Sequence, residues 1–322
     1  MVQLSGTTLR SKMVEAAASV PAVAKSLEAV GAHTVCDKVD RARSGGDIVA
    51  VRLPAGPGQL RSRRLKLLRR HGTDLAVEAM ARDGWLGFER PLPDVLVGSV
   101  RRFGGALFDV GANTGLYSLA GAAAAPRVAV HAFEAFPPVL ELLVENLALQ
   151  RCSKRIKVVG KAVSDIDGTL SLYVPRFTGA VETSCSLDPN FKEDVADKVD
   201  VPATTLDAYW ETCGRPQVCV VKIDTEGTEH RVLAGAQLMT ESQRPVIFYE
   251  FLPRGDAGAI ARFAASNRMV DVRLRPTEAI LSGDAIEFDG DAWNHALVPE
   301  EKLAAFGDVL CSVGVRLSGA AT

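Results

Sequence analysis

Phe108-Asp109-Val110-Gly111-Ala112-Asn113-Thr114-Gly115 (FDVGANTG, 108–115) decides the fold. The apolar run Ala106 to Val110 that leads into it reads as a buried strand, and Leu116 to Ala125 behind it reads as a helix. Gly111 permits a sharp turn, and Gly115 permits close approach of a ligand or of the helix. The helix start behind the loop offers free N–H groups. Working outward, Val128 to Phe133 is a second strand, Val139 to Leu149 a second helix with Val139, Leu142, Leu143 and Leu147 on one side, and Ile156 to Val163 a third strand. Thr169 to Val174 alternates and adds a strand, residues 175–197 form a long polar loop, and Val199 to Leu206 is extended. Cys219 to Asp224 and Val246 to Phe251 are further apolar strands, with helices over Glu229 to Leu238 and over 256–267. Short alternating runs within 270–298 predict antiparallel strands closing the sheet. Buried strands alternating with helices imply an α/β fold, a mostly parallel sheet covered on both faces.

The loop chemistry selects a ligand class. A dinucleotide site wants G-x-G-x-x-G so that a pyrophosphate sits on the helix start. Here the pattern is G-x-N-x-G, and Asp109 ends the strand, where a carboxylate repels pyrophosphate. An acid there suits a cationic ligand such as S-adenosylmethionine (SAM), with its sulfonium and α-ammonium groups, and argues against a nicotinamide dehydrogenase. Glu134 ends the second strand 19 residues after Gly115, where an acid accepts both hydroxyl hydrogens of a ribose.

A second motif, Lys222-Ile223-Asp224-Thr225-Glu226-Gly227-Thr228-Glu229-His230, follows the fourth strand of the alternation. Asp224 falls at the strand's carboxyl edge, where open α/β sheets bind ligands. Glu226 lies in the turn, Glu229 at the next helix start, and Glu250 ends the neighbouring strand. Lys222 on an apolar strand needs a carboxylate partner if buried and reads as structural. Asp224, Glu226 and Glu250 are the candidate catalytic acids. They suit a general base for a hydroxyl nucleophile; oxygen ligation of a divalent metal is the less favoured use, and no metal ligand is assigned.

These blocks together resemble the FkbM family of SAM-dependent methyltransferases: FDVGANTG (108–115), VHAFEAFP (130–137), AVSDIDGTLSL (162–172), TTLDAYW (204–210), VKIDTEGTEHRVLAGA (221–236) and VIFYEF (246–251). The resemblance covers about 106–252. It implies a Rossmann-like methyltransferase fold, a seven-stranded sheet whose last strand is antiparallel, with SAM as cofactor. It also implies methyl transfer, typically to a hydroxyl of a sugar, glycolipid or polyketide-type product. On it, Asp109, Gly111, Asn113 and Gly115 line the methionine end, Glu134 holds the ribose, Ser164 and Asp165 lie near the adenine, and Asp224 sits near the transferred methyl. One departure is Ala135, where the family pattern leads one to expect proline directly after the glutamate. N-methylation of an amine and non-catalytic SAM binding stay open beside it.

The remaining chain is less explicit. It has 322 residues, 47% apolar and 24% charged, ordinary values for a globular protein that fit two domains or one elaborated domain at ~150 residues each. The near-neutral net charge of −2 excludes a protein that is basic throughout, and it hides a split. Residues 1–105 carry 17 Lys+Arg against 10 Asp+Glu; the remainder carries 20 against 29. We therefore expect a mainly helical N-terminal extension over 1–100, capping the acceptor site, and a methyltransferase domain over 101–322. Within the extension, 13–30 reads as a helix and 48–53 as a strand. Residues 61–70 (RSRRLKLLRR) read as a basic helix striped by Leu65, Leu67 and Leu68, its charges a solvated face. No aromatic residue interleaves them, which disfavours single-stranded nucleic acid. The six cysteines lie without a CxxC pair and read as reduced thiols. No apolar run reaches the ~18–20 residues of a membrane span, and the N-terminus shows no secretory apolar stretch. The expectation is a cytoplasmic enzyme acting on a small-molecule acceptor, with neither nucleic acid nor membrane as partner and homo-oligomerisation left open.

Overall fold

The computed structural model describes residues 48–53, 64–69, 74–150, 152–176, 184–192, 195–283 and 285–319; the helix expected over 13–30 lies outside them. The described chain opens with a hairpin of β1 (Ile48–Arg52) and β2 (Arg64–Leu68), then α1 (Leu75–Asp83) and α2 (Leu92–Phe103). The alternation follows: β3 (Ala106–Val110), α3 (Leu116–Ala124), β4 (Val130–Phe133), α4 (Pro137–Ala148) and β5 (Ile156–Val159). A small second sheet comprises β6 (Ala162–Val163), β7 (Gly168–Pro175) and β8 (Val195–Thr204). Then come α5 (Leu206–Thr212), β9 (Val218–Ile223), α6 (Glu229–Ala234), α7 (Gln237–Gln243), β10 (Val246–Glu250) and α8 (Ala257–Ser266). The chain finishes with β11 (Met269–Leu274), β12 (Glu278–Leu281), β13 (Asn294–Pro299), α9 (Leu303–Ser312) and β14 (Arg316–Ser318).

The main sheet has the order β14-β12-β11-β13-β10-β9-β3-β4-β5. From β5 to β10 every pair is parallel, and β13 runs antiparallel to both β10 and β11. The seven strands β5 to β11 thus have the expected topology with one antiparallel strand, and β12 and β14 lengthen that edge to nine. Side chains of successive strand residues enter opposite faces, so the sheet has two cores. On one face Leu107, Val130, Val220 and Phe248 pack with the hairpin, α1, α2, α3, α4 and α9. On the other, Phe108, Phe133, Ile223 and Tyr249 pack with α5, α6, α7 and α8. No helix among the described residues is long and apolar enough to cross a membrane.

Three element expectations need correction. The basic run is not helical: Arg64–Leu68 is a strand paired with β1, with Arg64 and Lys66 exposed and Leu65 and Leu67 buried. Its charge–leucine alternation has period two, and the pairing with β1 decides in favour of a strand. The single helix expected over Glu229 to Leu238 breaks at Gly235, where a Cβ would stand 2.2 Å from the Ser164 carbonyl oxygen. There Asp207 accepts from the N–H groups of Leu238 and Met239 and starts α7 afresh. The third strand leaves the main sheet at Val159, and Ala162–Val163 pairs with β8 instead. Helices α5 and α9 were not foreseen, and α1 and α2 were foreseen only as part of a mainly helical extension. α2 runs across residue 100, and its Val95, Leu96 and Val100 are buried in the same core as Leu107.

Asn146, 2% exposed, ties the hairpin to the glycine loop. Its Oδ1 accepts from Leu68 N (2.8 Å) and its Nδ2 donates to the Thr114 carbonyl (2.8 Å). Asn146→Ala leaves two buried backbone groups unpaired at roughly 1–3 kcal/mol each. Chemical denaturation should show a loss of about 2–6 kcal/mol; a loss within about 0.5 kcal/mol, the range of ordinary surface substitutions, contradicts the assigned tie.

Candidate active site

Four strand ends, those of β9, β3, β4 and β5, are laced together at the carboxyl edge of the sheet. Asp224 N donates to the Val110 carbonyl (3.0 Å), Ala112 N to the Phe133 carbonyl (2.8 Å) and Glu134 N to the Val159 carbonyl (3.1 Å). Gly111 has φ 71°, and a Cβ on it would fall 1.8 Å from the Asp224 carbonyl oxygen. Only glycine fits, because both the backbone conformation and the space exclude a side chain. This contact brings the glycine loop against the second acidic motif. Gly115 (φ 94°) abuts Leu143 of α4 in the same way, which packs the loop on that helix.

The edge encloses a cleft of about 660 Å³, open to solvent, whose lining includes Gly111, Asn113, Glu134, Lys161, Asp224 and Glu226. Phe136, Val139, Ala162 and Leu172 form an apolar side, and Cys185 and Leu187 complete it from the segment after β7. That segment is fastened over the acidic turn: Ser186 Oγ donates to the Glu226 carbonyl (2.7 Å), and Phe191 packs against Gly227.

Glu134 is held by backbone donors on both oxygens. Oε2 accepts from Asn113 N (2.9 Å) and Oε1 from Phe136 N (2.9 Å). Burial nevertheless pushes its carboxyl up to about 7. Asp109 lies beneath the loop and does not line the cleft: it is fully buried, Oδ2 accepts from Ser118 Oγ (2.6 Å), and Oδ1 has no partner among the described residues. Burial holds the Asp109 carboxyl above its usual range. Ser164 and Asp165 also stand off the lining. Ser164 Oγ donates to Asp165 Oδ1 (2.8 Å), and Asp165 pairs with Arg231 (2.8 Å), which helps to hold its carboxyl low. The lining is taken instead by their neighbours Lys161, Ala162 and Val163.

Lys222 is 4% exposed and has the carboxylate partner its burial requires. Its Nζ donates to Asp224 Oδ2 (2.7 Å) and lies 4.8 Å from the centroid of the Tyr117 ring. The acids around it raise its pKa despite burial. Glu226 has φ 56°; burial and the nearby Asp224 charge push its carboxyl up to about 8. Glu250, paired in register with Asn294 of β13, is pushed up to about 10 by burial and then by Asp224, Glu226, Glu89 and Glu229. Glu229 does more than favour a helix start. Its Oε1 accepts from Thr225 N (2.9 Å), Thr225 Oγ1 (3.1 Å) and Gly227 N (3.2 Å), so it fixes the turn that carries Glu226. Among the described residues no three His, Cys, Asp or Glu side chains are grouped so as to hold a metal ion.

Sequence reading missed Glu89, Tyr117 and Lys161. Tyr117 Oη donates to Glu89 Oε2 (2.6 Å), and Glu89 is pushed up to about 7 by burial. Tyr117 follows the glycine loop by two residues and was legible as a loop neighbour; Glu89 stands in a segment with no motif to mark it.

Comparison with known proteins agrees with the blocks. The model of the methyltransferase FkbM domain matches residues 109–273, just over half the chain, and the chain belongs to that SAM-dependent family. It is 30% identical over 158 residues to methyltransferase sdnD of Sordaria araneosa, a match covering 40% of this chain and 59% of that protein. Among solved structures, the methyltransferase FkbM of Methylobacillus flagellatus KT shares 15% identity at a TM-score of 0.37, covering 60% of this chain and 43% of that one. The O-methyltransferase of Bacillus cereus in complex with SAH shares 14% identity at 0.38, covering 65% and 81%.

Five glutamates, at 89, 134, 226, 229 and 250, keep their protons in the folded chain to higher pH than in the unfolded one. The folded state then binds more protons, so stability is greatest below the ordinary carboxyl range and falls as pH rises through each raised value. Thermal melts of the cofactor-free protein should show a midpoint that drops from pH 5 to pH 8. Glu250→Gln should flatten that slope and raise the midpoint at pH 8 by a few degrees; an unchanged slope contradicts the assigned burial.

Proposed function

We propose that the chain transfers the methyl group of SAM to a hydroxyl oxygen of a small-molecule acceptor, a sugar, glycolipid or polyketide-type product, as a cytoplasmic biosynthetic enzyme. The observation that carries this reading is the single cleft in which the glycine loop, the backbone-clamped Glu134 and the Asp224–Glu226 turn face one another. The residues present also fit the cofactor. Glu134 keeps acceptor capacity on both oxygens for two ribose hydroxyls. Asp109 Oδ1 is a buried acceptor still lacking a donor, and acids crowd the opposite end, where a cation relieves their repulsion.

On this reading Gly111, Asn113, Gly115 and Asp109 serve the methionine end, Glu134 the ribose, and Ser164 and Asp165 the margin of the adenine side. Bound SAM supplies an electrophilic methyl on a sulfonium. The chain's part is to orient donor and acceptor, worth ~7–11 kcal/mol in favourable cases, and to receive the acceptor's proton. Asp224, with Glu226 and Glu250 behind it, forms the acidic surround of the reacting centre. A hydroxyl oxygen needs a base as it attacks, whereas an amine nitrogen can shed its proton afterwards, so this acid-rich end favours O- over N-methylation. The N-terminal extension is read as a cap on the acceptor side.

Titration calorimetry should show SAM binding abolished by Asp109→Ala and weakened at least ~10-fold by Glu134→Ala, the scale of a lost hydrogen bond to a charged group. Binding should also release protons to buffer near pH 7, because the cation favours ionised Glu226 and Glu250. Turnover of methyl-labelled SAM against glycosides, hydroxylated polyketides and amines should place the label in ethers. Label found only in amines overturns the hydroxyl reading, and wild-type affinity in the Asp109 variant overturns the cofactor placement.

A further inference from the structure

We propose that Glu89, which lies outside the family domain, is the base that takes the acceptor's hydroxyl proton; this rests on the hydroxyl-methylation reading above. The family match begins at residue 109, so nothing in the shared motifs assigns this glutamate.

Geometry separates it from the other acids. A working base is held by an orienting partner and keeps an oxygen free. Asp224 is ion-paired through Oδ2 to the buried ammonium of Lys222 at 2.7 Å, whereas the partner of Glu89 is a neutral hydroxyl. The side chains of Glu226 and Glu250 have no hydrogen-bond partner among the described residues, so nothing orients them. Glu89 has both requirements: Oε2 accepts from Tyr117 Oη at 2.6 Å, and Oε1 has no partner among the described residues. Glu89 is half-buried, and it neighbours Asp224, which lines the cleft.

The backbone is built to present it. Glu89 has φ 47°, a left-handed conformation that costs a non-glycine residue stability and that clusters at functional sites. Its carbonyl accepts from Leu92 N (2.9 Å) at the start of α2, and Trp85 Nε1 donates to Asp94 Oδ1 (2.6 Å), bracing the turn from both sides. Tyr117 opens α3 directly behind the glycine loop, so the Glu89 carboxyl is tied to the loop that carries the cofactor residues.

The charged and titratable groups facing Glu89 are Tyr117 on α3, Lys222 and Asp224 at the end of β9, Asp109 on β3 and Glu250 on β10. Burial raises the Glu89 carboxyl and the Lys222 charge lowers it, leaving it at about 7, where a base works best at neutral pH. In the step, the acceptor oxygen forms its bond to the methyl carbon while the carbon–sulfur bond breaks and its electron pair stays on sulfur as a thioether. The hydroxyl proton moves to Glu89 Oε1 and later leaves to water.

The test compares wild type, Glu89→Gln and Glu89→Asp with methyl-labelled SAM and the glycoside or polyketide alcohol that wild type turns over best. Glutamine keeps the acceptor for Tyr117 and so preserves the fold, which calorimetry with S-adenosylhomocysteine (SAH) checks. The expected result is a kcat loss of about 10²-fold or more in Glu89→Gln. SAH affinity stays within threefold, the acid limb of the pH–rate profile disappears, and Glu89→Asp rescues part of the rate. A Glu89→Gln kcat within threefold of wild type, or an unchanged acid limb, overturns the proposal while leaving hydroxyl methylation intact. A wild type that methylates amines and no hydroxyl overturns the reading on which the proposal rests, and the proposal with it.

Discussion

The site depends on one buried cation. Lys222 sits on a strand whose residues are all buried, and its ammonium reaches Asp224 at 2.7 Å and the face of Tyr117. Around it stand Asp109, Glu89 and Asp224, and beyond Asp224 the acids at 226, 229 and 250. That many carboxyl groups, buried side by side at one edge of the sheet, cannot all ionise. Burial and mutual repulsion hold Glu89, Glu226, Glu229 and Glu250 above their ordinary range, and the Lys222 charge opposes that rise at Glu89, Asp109 and Glu226. Removing one partner of a buried pair typically costs about 3–5 kcal/mol, because the other charge is left stranded. Lys222 therefore belongs to the electrostatics of the site as much as to the strand.

The same arrangement explains why the cleft is receptive to a cation. An acidic site that is neutral only because it is protonated is poised to exchange those protons for a positive ligand. The glycine loop contributes the second half of this logic. Gly111 touches the Asp224 carbonyl, so the loop that meets one end of a ligand and the turn that meets the other are in backbone contact. Any shift of one is felt by the other, and Glu229, clasping Thr225 and Gly227, keeps the turn from drifting.

The sheet was legible because its signals are local. Buried parallel strands such as Val218–Ile223 are near-continuous apolar runs, and strand–glycine–helix junctions mark themselves. The order of motifs then carried the topology, including the antiparallel β13. What escaped reading was decided at a distance. Arg64–Leu68 became a strand because β1 was there to pair with it. The helix over 229–238 was broken by Asp207, far away in sequence. Asp109 was legible as an acid at the right place, yet its burial beneath the loop, with Ser118 on one oxygen, comes from the packing of α3.

Charge shows the same limit most sharply. The first 105 residues carry an excess of seven positive charges, which as an average suggests contact with something anionic. Yet among the described residues of that segment, the one bonded to Tyr117 beside Lys222 and Asp224 is an acid, the half-buried Glu89. On the hairpin of that segment, Arg52, Arg64 and Lys66 are exposed. A segment's net charge reports its solvated side, where side chains are numerous and weakly constrained. Its function can rest on the single side chain that turns inward, and only the fold shows which one that is.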